Sequence, residues 1–148
     1  MAYNLEEISA KLEIQDLIYR YSEIIDSQDF DKLDEVFTAD AHIDYSAMGG
    51  SKGNFDETVT FLKDAMPGLF PNSQHLNANM QITLSSSSDI ASATGRIMCY
   101  NPMEMLVNGG PETKIMMCGL WYLDDYVNTD LGWKIKTRVE EKSWFFNM

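Results

Sequence analysis

The chain is poor in the residues on which metal, redox and covalent chemistry usually rest. Its 148 residues include two cysteines, Cys99 and Cys118, and two histidines, His42 and His75. A disulfide framework and a Cys-x-x-Cys redox motif are therefore absent, and counting nearly excludes a nitrogen- or sulfur-rich metal site. Basic residues are also scarce: 11 Lys and Arg stand against 23 Asp and Glu, a formal charge of −12. Such a surface repels phosphate backbones and anionic lipid, so neither nucleic acid nor a membrane surface is an expected partner. No apolar run approaches the roughly 18–20 residues of a membrane-spanning helix. The opening Met1-Ala2-Tyr3-Asn4-Leu5-Glu6-Glu7 lacks the basic end and apolar middle of a signal peptide, so a cytoplasmic location is expected. Gly-x-Gly-x-x-Gly, a phosphate loop, Gly-x-Ser-x-Gly and His-Glu-x-x-His are missing too. Their absence removes the common forms of dinucleotide chemistry, nucleotide hydrolysis, serine esterase and zinc peptidase.

What is present reads as one globular domain over 1–148, with 45% hydrophobic and 11% aromatic residues. A domain of this length buries roughly 68–70% of its unfolded surface, enough for a core and an internal pocket. From Leu5 to about Asp26 the apolar residues Ile8, Leu12, Ile14, Leu17, Ile18, Tyr21, Ile24 and Ile25 recur at threes and fours, predicting an amphipathic helix. Asp29 is expected to cap a short helix from Phe30 to Phe37. A strand is predicted from Ala41 to Ala47, and a third helix from Asn54 to Met66 that Pro67 stops. Four strand-like runs follow: Gln74–Leu84, Ile90–Met105, Thr113–Tyr126 and Trp133–Phe145, separated by the turn signals Ser85–Asp89, Asn108–Pro111 and Asn128–Gly132. Helices first and an antiparallel meander second make an α+β fold with the helices on one face of the sheet.

If the middle hairpin turns at Asn108-Gly109, Cys99 faces Cys118 and Asn101 faces Met116. Alternation then puts Ile97, Cys99 and Asn101 on one sheet face with Met116, Cys118, Leu120 and Tyr122. The other face carries Arg96, Met98 and Tyr100 with Met117, Gly119 and Trp121. Both faces are substantially apolar, so a second cover is needed outside, and a homodimer through the outer face is expected. The two cysteines are expected to remain thiols.

The stretch Tyr21-Ser-Glu-Ile-Ile-Asp26-Ser-Gln-Asp-Phe-Asp-Lys-Leu-Asp-Glu-Val-Phe37-Thr-Ala-Asp40-Ala-His-Ile-Asp-Tyr45 resembles the opening of SnoaL-like domains of the nuclear-transport-factor-2-like superfamily, which includes scytalone dehydratase and bile-acid 7α-dehydratase. Ser73-Gln74-His75, Ala93-Thr94-Gly95-Arg96, Gly119-Leu-Trp-Tyr122-Leu-Asp124-Asp-Tyr126 and Gly132-Trp133-Lys134-Ile135 carry the likeness along almost the whole chain. The resemblance implies a cone-shaped α+β barrel, its curved sheet mostly antiparallel, with helices over the concave side enclosing an apolar pocket. The superfold hosts many reactions, so the site residues must carry the function.

Asp26 falls near the C-terminal end of the first helix, where the dipole disfavours an anion by about 0.3–1 kcal/mol. A carboxylate placed against its local preference suggests another task, and in the dehydratases that the chain resembles the matching residue holds a catalytic histidine. His75 is the histidine expected to point inward, and a carboxylate beside it fixes one tautomer and strengthens it as a base. His42, beside Asp40 and Asp44, reads as a surface residue. Tyr21 and Tyr45 match the family's oxygen-binding tyrosines and are candidate donors to a substrate oxygen. Five residues separate Tyr21 from Asp26, about 140° around a helix, so they converge only if the last turn unwinds. Asn101 stands where the bile-acid enzyme carries a catalytic aspartate, and Tyr100 lies closest to a second histidine of scytalone dehydratase. An amide orients a carbonyl or water but exchanges no proton near pH 7.

With Asn101, the residues Tyr100, Tyr122, Met116 and Cys99 are the candidate substrate contacts. Arg138 and Lys142 follow the Trp133 strand; one of them could neutralise a buried acid or a substrate carboxylate, though both read first as solvated strand residues, and Asp124 and Asp125 read as hairpin and solvent contacts. The resulting expectation is a metal- and cofactor-independent lyase or isomerase. It would act by proton transfer on a small hydrophobic cyclic, polyketide-, terpenoid- or steroid-like molecule, with catalytic residues His75, Asp26, Tyr21 and Tyr45. The alternative is a non-catalytic dimer that binds an apolar molecule or serves as an accessory subunit.

Overall fold

The computed structural model describes residues 2–86 and 89–147; Met1 and the Ser87-Ser88 centre of the expected serine turn lie outside the described residues. Helix α1 spans Leu5–Ser27 and helix α2 Phe55–Leu69. Both begin with the same local device: the Asn4 and Asn54 side chains accept from the backbone N–H three residues on, while Glu7 and Glu57 reach back to the cap's own N–H. Strands β1 (Phe37–Asp44), β2 (Lys52–Asn54), β3 (Asn72–Ser73), β4 (Leu76–Ser86), β5 (Asp89–Leu106), β6 (Thr113–Thr129) and β7 (Gly132–Asn147) build one sheet.

The sheet runs in the order β2-β1-β7-β6-β5-β3, with β4 also paired to β5. Every described pairing is antiparallel except β1 with β7. The long strands curve without closing, and α1 and α2 lie over the concave side. The core is there: Ile14, Ile18 and Ile24 of α1 meet Ile97, Leu120 and Tyr122 of the sheet.

Several expectations change. Asp29 makes no side-chain cap, and the segment after it is a 3₁₀ turn, Phe30–Glu35, rather than an α-helix to Phe37. Phe37 opens β1, which ends at Asp44, so Tyr45 leads a second 3₁₀ turn, Ser46–Met48. Helix α2 continues through Pro67 to Leu69. Proline in the final turn removes one backbone donor there and leaves the earlier helical bonds intact. On α1 the buried stripe begins at Ala10, while Ile8 and Leu12 remain exposed.

The β5–β6 hairpin pairs Asn101 with Cys118 and Cys99 with Leu120. Its tip is a four-residue loop: Val107 N–H bonds the Glu112 carbonyl, and Asn108 and Gly109 take φ of 52° and 67°. The turn therefore sits one residue later than Asn108-Gly109 alone suggests, and every partner moves by two. Two is the period of the strand, so the face assignment survives while the Cys99–Cys118 pairing does not. Both cysteines are free and buried.

On β7 the pairing slips between Tyr126↔Ile135 and Asp125↔Thr137, leaving Lys136 as an extra residue. A bulge of this kind reverses which residues face inward. Trp133 and Ile135 are buried before it, and Arg138 is buried after it.

Candidate active site

The last turn of α1 stays helical through Ser27 and closes on Gln28, which adopts the left-handed conformation at φ 58°. Its amide donates to the Phe70 carbonyl at 2.7 Å, tying the end of α1 to the end of α2. Asp26 is held in that turn, beside the segment that joins β3 to β4. Ser73 Oγ donates to Asp26 Oδ1 at 2.8 Å, and the His75 backbone N–H to Oδ2 at 2.9 Å. The His75 ring completes the set, with Nδ1 2.6 Å from Oδ1.

Burial pushes Asp26 up, but the bonds from the His75 ring and backbone and from Ser73, with the histidine's charge, together hold it below its usual value. An ionised carboxylate only accepts, so Nδ1 carries a proton, and in the neutral ring Nε2 is then the lone-pair nitrogen. The His75 side chain is 7% exposed against 26% for Asp26. The dyad is thus an enclosed imidazole steadied by a more accessible acid.

Tyr21 reaches the dyad without any unwinding of α1. Its ring stands edge-on to His75, with centroids 6.3 Å apart, and its hydroxyl shares a 2.8 Å hydrogen bond with that of Tyr45. Burial drives both phenols up, Tyr21 to about 12 and Tyr45 well above its usual 10, so both remain donors at neutral pH. Tyr45 is seated by a tight loop in which Gly50 N–H bonds the Tyr45 carbonyl at 2.9 Å. A Cβ on Gly50 would sit 2.6 Å from Tyr45 Cβ, so the close approach requires glycine.

Behind the tyrosines lies a pair that strand alternation alone does not reveal. Arg138 is fully buried, and its Nε and Nη2 donate to Asp124 Oδ1 and Oδ2 at 2.8 and 2.6 Å. Tyr126 donates to the same Asp124 Oδ2 at 2.6 Å. The guanidinium lies between the rings of Tyr21 and Tyr122, 4.1 and 4.0 Å from their centroids. Neither Arg138 nor Asp124 is a solvent contact: the bulge at Lys136 turns Arg138 inward, and Asp124 shares the buried face of β6. Asp125 is exposed. An earlier signal existed in the sequence, since Asp124 falls in the same register class as the buried Leu120 and Tyr122.

A cavity of about 240 Å³ opens beside the dyad. Its apolar wall comes from Ile25, Leu120, Met103, Met116, Phe61 and Met66, and its polar lining from His75, Tyr45, Asn101, Cys118 and Glu140. Asn101 Nδ2 donates to the Gln74 carbonyl at 2.8 Å, which anchors the residue just before His75. The amide thus positions the histidine's backbone.

Of the residues singled out from the sequence, His75, Tyr45, Asn101 and Met116 line the cavity. Asp26 stands directly behind His75, and Tyr21 behind Tyr45. Tyr122 and Cys99 are fully buried in the core next to Tyr21 rather than on the cavity wall. Tyr100 is not brought to the site: it faces outward, 39% exposed, against Trp144, because it alternates with Asn101. Lys142 and His42 are exposed. Among the described residues no three His, Cys, Asp or Glu side chains gather as metal ligands would, and no helix is long and apolar enough to cross a membrane.

Comparisons with other proteins bear on the fold that carries this site. The profile of the SnoaL-like domain family matches residues 6–139. An uncharacterized protein of Mycobacterium tuberculosis is 42% identical over 139 residues, covering 94% of this chain and 89% of its own. Among solved structures, a Novosphingobium aromaticivorans protein provisionally assigned as a scytalone dehydratase superposes with TM-score 0.80 at 22% identity, over 98% of this chain and 89% of that one. A hexachlorocyclohexane dehydrochlorinase of Novosphingobium barchaimii gives TM-score 0.79 at 15% identity, over 99% and 94%. With the profile spanning both helices and most of the sheet, the chain belongs to the SnoaL-like domain family, and it shares its fold with these solved neighbours.

Proposed function

We propose that this protein is a lyase or isomerase that works by proton transfer with its own side chains, on a small hydrophobic, ring-bearing substrate. The observation that supports this most is the 2.6 Å His75–Asp26 contact at the wall of an apolar cavity. His75 Nε2 takes a proton from a carbon of the substrate, and the C–H electron pair becomes the new double bond. In a dehydration the leaving hydroxyl departs with its bonding pair and takes up that proton from the His75 imidazolium, leaving as water and restoring the neutral ring. In an isomerisation the proton returns to another carbon. Tyr45, backed by Tyr21, donates to the oxygen on which negative charge collects. Asp26 keeps the imidazole in the required tautomer and stabilises the imidazolium.

The cavity is smaller than the ~300–1,000 Å³ of typical ligand pockets, which favours a molecule of one or two rings. Neighbours that bear dehydratase and dehydrochlorinase names are consistent with elimination chemistry. The test is a panel of cyclic β-hydroxy ketones and polychlorinated cyclohexanes, followed by enone absorbance and chloride release. On the substrate that turns over, His75→Ala and Asp26→Asn are expected to lower kcat by about 10²–10⁴-fold with unchanged circular dichroism. Wild-type turnover in His75→Ala overturns the reading.

We further propose that a second copy of the chain covers the convex face. Leu76, Tyr100, Gly119 and Trp144 form one row across β4, β5, β6 and β7. Leu76, Tyr100 and Trp144 are 49%, 39% and 43% exposed, an apolar band that a self-complementary contact would cover.

A further inference from the structure

Glu140 is the acid of the cavity that the proton transfer above does not use. It lies on β7, two residues beyond Arg138, and faces Tyr122 of β6 across the ladder. It lines the same cavity as His75 and Tyr45, and its Oε2 is sealed from solvent with no hydrogen-bond partner. A carboxyl oxygen in that position is costly unless something arrives to pair with it.

The charges around Glu140 come from several elements. Arg138 on its own strand lowers its pKa, but the guanidinium is already engaged by Asp124. Asp44 of β1 raises it and is itself paired with Lys52 of β2. Tyr122 of β6 and Tyr45 are neutral phenols, the Cys118 thiol is pushed up by burial to about 11, and the His75–Asp26 pair stands at the same cavity. Burial dominates over these and lifts Glu140 to about 8.

We propose that Glu140 is a ligand-binding acid of this cavity, a neutral carboxyl that donates a hydrogen bond to the ketone or hydroxyl oxygen of an uncharged ligand. This deepens the lyase or isomerase reading by naming the polar group of the substrate, and rests on that reading for the site but not for the action of His75. The bonded ligand satisfies the orphaned oxygen's group, and no covalent bond is made or broken in the contact.

The probe is 2,2-dimethyl-1-indanone, a rigid two-ring apolar ketone with no enolisable hydrogen, titrated into the wild-type protein at pH 7 and pH 9.5. The cavity's thiol and phenols keep their protons over that span, and His75→Ala removes the imidazole, so the response that persists in that variant isolates Glu140. Affinity is expected to fall about tenfold from pH 7 to pH 9.5 as the donor is lost. Glu140→Gln, whose amide still donates, is expected to bind within a few-fold of wild type at pH 7 and to lose the pH response. His75→Ala is expected to keep that response even where it abolishes turnover, so failure of the catalytic reading and failure of this one are separable. In parallel, ¹³C-carboxyl NMR of glutamate-labelled wild type should show one resonance titrating near pH 8 that vanishes in Glu140→Gln. The proposal is overturned by absence of indanone binding at pH 7, by a flat wild-type response, by a response that survives in Glu140→Gln, or by glutamates that all titrate below about pH 6.

Discussion

The two faces of the sheet both carry large apolar side chains and are opposite in how they treat polar atoms. On the concave side, charged groups are buried and mostly given partners: Arg138 grips Asp124 with two bonds, Tyr126 adds a third, and Tyr21 and Tyr122 sandwich the guanidinium. On the convex side, Arg96 lies over the Trp121 ring at 3.6 Å and bonds Glu141 at 2.8 Å, both in reach of water. Tyr100 and Trp144 stack beside them with centroids 5.9 Å apart. The difference teaches that hydrophobicity places a residue in a sheet but not its role. Role follows from whether polar atoms beside the apolar ones are cut off from solvent, since only there is a missing partner expensive.

Perturbing the faces in turn tests this contrast. The largest effect is expected from Arg138→Met, which leaves the Asp124 carboxylate buried without its cation. A loss of roughly 3–5 kcal/mol in urea unfolding is expected, with most of it recovered when Asp124→Leu is added. A double variant as unstable as the single one would break the claim that the pair is coupled.

Glu140→Gln comes next. A carboxyl raised from 4.5 to about 8 is protonated in the folded state while the unfolded chain ionises. Between those values the native state binds more protons, so wild-type stability falls as pH rises through that window. The glutamine variant is expected to lack this fall and to be more stable than wild type by roughly 1–3 kcal/mol at pH 8 in thermal melts. Equal melting curves from pH 5 to pH 8 would place Glu140 in water.

The convex face is expected to respond least in stability and most in assembly. Tyr100→Ser with Trp144→Ser should change unfolding free energy by no more than about 1 kcal/mol. The same double variant should elute at the 16.9 kDa of a single chain while wild type elutes at about twice that. Gly119→Ala is subtler: its Cβ would lie 2.1 Å from Trp144 Nε1, so the indole must swing off the sheet. A shift in tryptophan emission with little loss of stability is expected; large destabilisation would mean that Trp144 packs as core.

The legible part of the fold was the part carried by short-range pattern. The apolar stripe of α1 from Ile14 to Ile25 and the four long strands depend on neighbours within a few residues. His75 and Asp26 could be paired only through the family resemblance, because 49 positions separate them and no periodicity links a helix end to a strand entry. Tyr21 illustrates the opposite failure. Its 140° offset from Asp26 suggested that α1 must unwind, yet the contact runs through the His75 ring and Tyr45, a geometry made by elements far along the chain. The inward turn of Arg138 and Glu140 was not legible for a third reason, although Arg138 stood as a possible partner for a buried acid: one extra residue at Lys136 inverts the alternation, and a bulge is set by the partner strand.

By itself, the amino-acid order determined the α+β class, the succession of elements and which side of each hairpin strand is apolar, because these follow from periods of 3.6 and 2 that local chain geometry imposes. Only the tertiary structure decided that Asn108–Pro111 shifts the cysteines out of opposition, that Tyr100 looks away from the site, and that an arginine and a glutamate turn inward. Those outcomes depend on register, bulges and sheet curvature, which are settled by packing between distant segments and not by any one of them.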